Sequence, residues 1–367
     1  MLDKYKKDFL EELAGLDTGK AQPLFHPYPV INIFREDEPL KEKNRNEKPD
    51  EEKFLLGKKG ILCDKSDTVK SEIAMNLERE GAFFVEEENA DFVIAMDKDA
   101  SFLKYAVVQG CSALKATYGL ISRHGMDTDA PSLAQPAIGA QNATMIAKVL
   151  QAAAVVDNKD PMSRDAYIYE YMAALEDTDM TGMKIAIPAT LSAMELDELQ
   201  LSCYNQMLDV FEEKGAEIET VELDWIEYAV PVHEMIVACE KVMTADEIIM
   251  SCMEEDESLQ LGNDLLEKDN YEMYYLKALK LRSLIKDSYD MLFREYALLV
   301  VPFTENIDSY SIAANLAGLP AMSLPFVPYG AETADGTTIV AGLHMIAGAN
   351  YENNLVKAAN TYEQEVL

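Results

Sequence analysis

Five cysteines and four histidines are the first residues to test for chemistry. Cys63, Cys111, Cys203, Cys239 and Cys252 are odd in number, widely spaced and form no C-x-x-C pair, and His26, His124, His233 and His344 show no ligand spacing. A structural zinc site needs soft ligands brought together by short spacings, and a disulfide framework needs an even, dense set. The pattern therefore predicts reduced, packed cysteines, with no metal and no cofactor. A different kind of potential lies in Leu114-Lys115-Ala116-Thr117-Tyr118-Gly119-Leu120-Ile121-Ser122-Arg123-His124-Gly125. Small residues, a Tyr-Gly break and a short polar loop predict a tightly packed connection under a binding cleft rather than on open surface.

The elements that must position that stretch follow from composition and periodicity. With 367 residues, 49% of them hydrophobic, the chain has ample material for a core. Its formal charge of −34, from 66 acidic against 32 basic residues, repels phosphate backbones and anionic headgroups, so direct nucleic-acid and membrane binding are excluded as expectations. No 18-residue apolar run occurs, and Met1 to Asp8 has no signal-peptide core, which predicts a cytoplasmic protein.

Residues 1–57 read as a polar N-terminal extension, with a short helix near Tyr5 to Leu13 and a charged, solvated run from Arg35 to Lys53. Residues 58–367 read as one α/β domain. Ile61 to Cys63 predicts a buried strand, and Asp67 is the expected N-cap of a helix closed by Gly81. Strands at 184–188, 217–223, 297–302, 321–325 and 338–346 alternate with helices at 142–156, 196–214, 225–253, 271–296, 312–317 and 351–366. Met273, Tyr274 and Tyr275 on the long helix read as core. The alternation predicts an α/β fold, a mixed, mostly parallel sheet covered by helices on both faces.

Several words in order resemble the amidase signature family, closest to its amidotransferase members. Leu114 to Gly119 and Ser122 to Gly125 are similar to G-L-K-P-T-Y-G and S-R-Y-G, and Pro131-Ser132-Leu133-Ala134-Gln135 to S-S-L-D-Q. Met183 to Pro188 resembles G-L-R-I-G-V-P, Lys277 to Ile285 resembles K-A-Q-K-V-R-T-L-I, and Asn315 to Ala321 resembles N-L-A-G-L-P-A. The resemblance implies the family fold and its chemistry: a Ser nucleophile, a second Ser relaying the proton, and a Lys base, all within hydrogen-bond reach.

Judged by that pattern, the chain is truncated. No G-G-S-S-G-G-S relay word lies between Val85 and Phe92, and only Lys65 stands near the place of the base. The nucleophile word S-D-T-G-G-S falls on Met96-Asp97-Lys98-Asp99-Ala100-Ser101, which makes Ser101 a vestigial nucleophile whose glycines have become Asp99 and Ala100. Arg282 and Asp308 match the positions that hold the α-carboxylate and α-amino group of glutamine. The resemblance thus implies a degenerate protein without amide hydrolysis that keeps a small amino-acid or amide ligand. Two alternatives are an active amidase or glutamine-dependent amidotransferase subunit using Ser101, with Lys65, Lys98 or Lys115 as a rebuilt base, and a structural or regulatory subunit docking a protein partner.

Overall fold

The computed structural model describes residues 7–28, 49–66, 68–86, 89–164, 170–193, 196, 198–246, 249–250, 255–303, 309–326 and 342–366. Their strands are β1 (Lys59–Leu62), β2 (Phe83–Phe84), β3 (Phe92–Asp97), β4 (Ser112–Lys115), β5 (Gln135–Ala140), β6 (Lys184–Pro188), β7 (Glu217–Val221), β8 (Leu298–Phe303), β9 (Ala321–Pro325) and β10 (Gly342–Ala347). All ten form one sheet in the order β2-β1-β3-β5-β4-β9-β10-β8-β6-β7.

The sheet is mixed, as expected, but the expectation of mostly parallel pairing needs correction. Parallel pairs occupy the two flanks, β2-β1-β3 and β8-β6-β7, while every pair from β3 across to β8 is antiparallel. Strand-helix-strand alternation does make β3 and β4 run the same way. What it cannot reveal is that β5, of opposite sense, inserts between them.

Helices cover both faces. They are α1 (Lys7–Gly15), α2 (Glu72–Arg79), α3 (Ser101–Val108), α4 (Ala143–Ala153), α5 (Glu198–Glu213), α6 (Ala229–Thr244), α7 (Glu257–Leu266), α8 (Leu276–Leu292), α9 (Ser309–Ala317) and α10 (Glu352–Val366). Successive strand residues point to opposite faces, and the core splits accordingly. Ile94, Leu114, Ile138, Met322 and Met345 pack with α2, α4, α5 and α10 on one face. Ala113, Leu299, Val301, Ala321 and Ile346 pack with α1, α3, α6, α8 and α9 on the other.

Several local expectations shift. Ser71, not Asp67, caps α2, its hydroxyl accepting the Ala74 N–H at 3.5 Å, and Asp67 lies outside the described residues. The helical stretch expected over 225–253 is broken after α6 at Thr244, with 249–250 again helical, and the long helix expected from Tyr271 opens with a π-turn over 271–275 before α8. Part of the expected polar extension is core: Leu10, Leu13 and Leu55 are buried, and Lys277 Nζ donates to the carbonyls of Ala14 and Leu16 at 3.0 and 2.5 Å, holding the end of α1. Most of the charged run from Arg35 to Lys53 lies outside the described residues. No helix among those described is long and apolar enough to cross a membrane.

Helix α3, unanticipated in the sequence, starts from Ala100 in the left-handed region (φ 63°, ψ 12°), a conformation that Cβ makes costly and that glycine adopts freely. Replacing Ala100→Gly should relieve that strain and raise stability by about 1 kcal/mol, net of glycine's extra chain entropy. Urea denaturation reads this directly: the midpoint should move upward, and a downward shift would refute the strain.

Candidate functional site

The loop where β3 passes into α3 is the place assigned to a nucleophile. Asp97, the last residue of β3, is fully buried and turns its carboxylate onto the start of α3. Its Oδ1 accepts the Asp99 N–H at 3.1 Å and its Oδ2 the Leu103 N–H at 3.4 Å, while Asp99 Oδ1 accepts the Ser101 N–H at 3.0 Å. A helix start offers unpaired amides that favour an anion. Here the chain's own carboxylates take them. Ser101 is exposed, and no lysine or histidine hydrogen-bonds its hydroxyl among the described residues.

The three lysines weighed as bases go elsewhere. Lys65 is exposed in a turn bridged to Met126, and Lys98 pairs with Asp129 at 2.5 Å. Lys115 is fully buried at the end of β4, donating to Gln135 Oε1 at 3.1 Å and the Leu319 carbonyl at 3.0 Å. Burial pushes the Lys115 pKa down and the Asp97 pKa up, and the charge of each opposes the shift of the other. Asn315 on α9 donates to the Asp97 carbonyl at 3.5 Å. His233 on α6, kept neutral chiefly by burial, donates through Nε2 to the Lys98 carbonyl at 2.7 Å.

Arg282 has no exposed surface. Its Nε donates to the Leu316 carbonyl at 2.8 Å, Nη2 to the Ser132 carbonyl at 2.8 Å, and Nη1 to Ser132 Oγ at 2.7 Å and the Phe25 carbonyl at 3.3 Å. Ser132 in turn donates its hydroxyl and, at 2.9 Å, its N–H to the carboxylate of Glu240. Burial raises the Glu240 pKa, opposed by those two hydrogen bonds and by the charge of Arg282. The guanidinium is engaged by α9, the 132 loop and the 25 segment, and Asp308, the other expected ligand anchor, lies outside the described residues.

The Leu114–Gly125 stretch knits these pieces. The Tyr118 N–H donates to the Gly318 carbonyl at 3.1 Å and its hydroxyl to the Pro131 carbonyl at 2.6 Å. Arg123 stacks 4.6 Å from the Tyr118 ring centre, donates to the Pro131 carbonyl at 2.5 Å, and lies 3.6 Å from Asp160. Gly119 is required: at φ +82° its Cβ would sit 2.2 Å from the Met162 carbonyl.

Sequence reasoning missed Glu240, the bond from His233 to the Lys98 carbonyl, the capping role of Asp97, and the role of Ser132. The available signals were Asp97 and Ser132, each inside a recognised word. Glu240 sits in a helix whose other buried positions, His233 apart, are apolar, and only the fold reveals its partner.

These features can be set beside known proteins. The chain is 29% identical over 319 residues to the A subunit of glutamyl-tRNA(Gln) amidotransferase from Lachnoclostridium phytofermentans, covering 76% of this chain and 64% of that protein. It spans less than two thirds of that relative's length. The crystal structure of the A subunit of glutamyl-tRNA(Gln) amidotransferase from Thermotoga maritima matches the fold with a TM-score of 0.71 at 18% identity, over 85% of this chain and 84% of that one. Native peptide amidase from Stenotrophomonas maltophilia matches with a TM-score of 0.66 at 18% identity, over 85% and 83%. Both likenesses show the fold. The Amidase family model matches residues 90–356, well over half of the sequence, and the chain therefore belongs to the Amidase family.

Proposed function

We propose that this chain is a non-hydrolysing member of the family, acting by binding or association rather than by turnover. The observation that carries this reading is the filled start of α3, where Asp97 and Asp99 accept the amides of Asp99, Ser101 and Leu103. Acyl transfer builds negative charge on an oxygen that must be met by preorganised donors. Carboxylates in that place oppose the charge instead. An exposed serine without a hydrogen-bonded base is also a weak nucleophile.

The connection between β2 and β3, where the relay word is missing, is only the short return from Val85 to Asp91 between two strands that both pair with β1. Arg282, expected to hold a ligand carboxylate, is read here as a structural residue because its donors already serve the protein. The amidotransferase relative is by name one subunit of an enzyme, and a protein partner for this chain belongs to the same proposal.

Two experiments test this reading. Ammonia release from L-glutamine and simple amides should stay at the buffer rate for the wild type and for Ser101→Ala alike, whereas turnover abolished by Ser101→Ala would establish the active alternative. Arg282→Met should cost about 3–5 kcal/mol in urea denaturation, since it strands the buried Glu240 carboxylate. A loss under about 1 kcal/mol would place Arg282 outside the structural role.

A further inference from the structure

Residues 24–28 cross the Arg282 node without forming a helix or strand. A few contacts hold them there. The Leu24 N–H donates to the Leu279 carbonyl on α8 at 3.0 Å, and the Phe25 carbonyl accepts from Arg282 Nη1 at 3.3 Å. Pro27 is buried against Gly318, where a Cβ would lie 2.6 Å from the Cβ of the proline. Tyr28 donates its hydroxyl to the Gly318 carbonyl at 3.4 Å, and its ring centre lies 4.0 Å from the Arg164 guanidinium and 4.9 Å from Lys286 Nζ. A segment with so few backbone bonds to its surroundings can open locally while the sheet stays folded.

His26 sits in the middle of this segment, partly buried, with its Nδ1 shielded from solvent and without a hydrogen-bond partner. Burial holds its pKa below the ordinary value, and the charges of Arg282 on α8 and Arg123 on the 114–125 stretch push the same way. The acids of the region are already engaged. Asp160 lies 3.6 Å from Arg123, Glu240 on α6 accepts from Ser132, and Asp290 accepts from Lys286 at 2.6 Å. Helix α9, whose end meets Pro27 and Tyr28, carries no charged residue. A proton on His26 would therefore place a third positive charge beside two arginines, with no acceptor at Nδ1. Once the segment is released, the imidazole regains its ordinary pKa of about 6.5. The docked state is thus fully stable above that value and loses stability as the pH falls through it.

We propose that residues 24–28 form an acid-released latch over the Arg282 node, with His26 as its trigger. Lifting it withdraws the Phe25 carbonyl from Arg282, uncovers Gly318 and Tyr118, and separates Tyr28 from Arg164 and Lys286. The latch goes beyond the non-hydrolysing reading and holds whether or not the chain turns over an amide.

Hydrogen exchange of the full chain at about pH 7.5 and about pH 5.5, either side of the ordinary histidine pKa, tests this. It is read on peptides that contain Leu24, corrected for the intrinsic rate at each pH. Protection there should fall about threefold or more on acidification, while peptides from β5 and β8 keep theirs. In His26→Gln, which cannot take up the proton, protection should be the same at both values. The imidazole resonance that this variant lacks should titrate lower in the folded wild type than in urea, a reading that stands even if the variant leaves the segment undocked. Unchanged protection in the wild type, an equal fall in His26→Gln, a fall shared by β5 and β8, or a folded midpoint at or above the urea value would each overturn the latch.

Discussion

A guanidinium with no exposed surface needs acceptors inside the protein, and Arg282 draws distant segments onto one point to supply four hydrogen bonds. The carbonyl of Leu316 comes from the end of α9, Ser132 from the loop before β5, Phe25 from the N-terminal segment, and Glu240 from α6 reaches the arginine through Ser132. The charge balance is local: one buried cation, one buried anion and a serine that accepts from the first and donates to the second. Removing any member leaves the others desolvated and unpaired, which is costlier than never having buried them. The helical layer of α6, α8 and α9 over one sheet face is therefore pinned by a polar node as well as by its apolar packing.

The same principle recurs at the end of β3. Asp97, buried where the charge of Lys115 reaches it, accepts amides at the start of α3 with both carboxylate oxygens. Ala100 carries the strain of that turn in its backbone. It keeps a left-handed turn suited to glycine while carrying a Cβ. Groups that could stabilise a developing charge are instead neutralised in the ground state, and the two uses exclude each other because an amide already bonded to a carboxylate is no longer a free donor.

Much of the fold was legible in the sequence. The β6 strand at 184–188, the Asn142 cap of α4, the glycine after α5 and the closing helix carry periodicity or caps that act locally. The central strands β4 and β5 were not legible, because every residue in them is buried and their small side chains show no alternation. The site was legible only by resemblance, which singled out Ser101 and Arg282 but not their surroundings. Ser132 and Arg282 are 150 positions apart, and Ser132 and Glu240 are 108 apart, so nothing local announces either pairing. The resemblance assigned a ligand to Arg282, and in the structure four of its N–H groups bond to the protein.

Whether the nucleophile position retains any reactivity can be read without knowing a substrate. The full chain treated with a fluorophosphonate, which esterifies activated serines and leaves ordinary ones alone, is followed by intact-mass spectrometry and peptide mapping. A serine exposed beside Asp97 and Asp99 with no hydrogen-bonded base should remain unmodified, giving the unlabelled mass. A stoichiometric adduct on Ser101 that disappears in Ser101→Ala would contradict the central claim that this family member has exchanged its chemistry for structure.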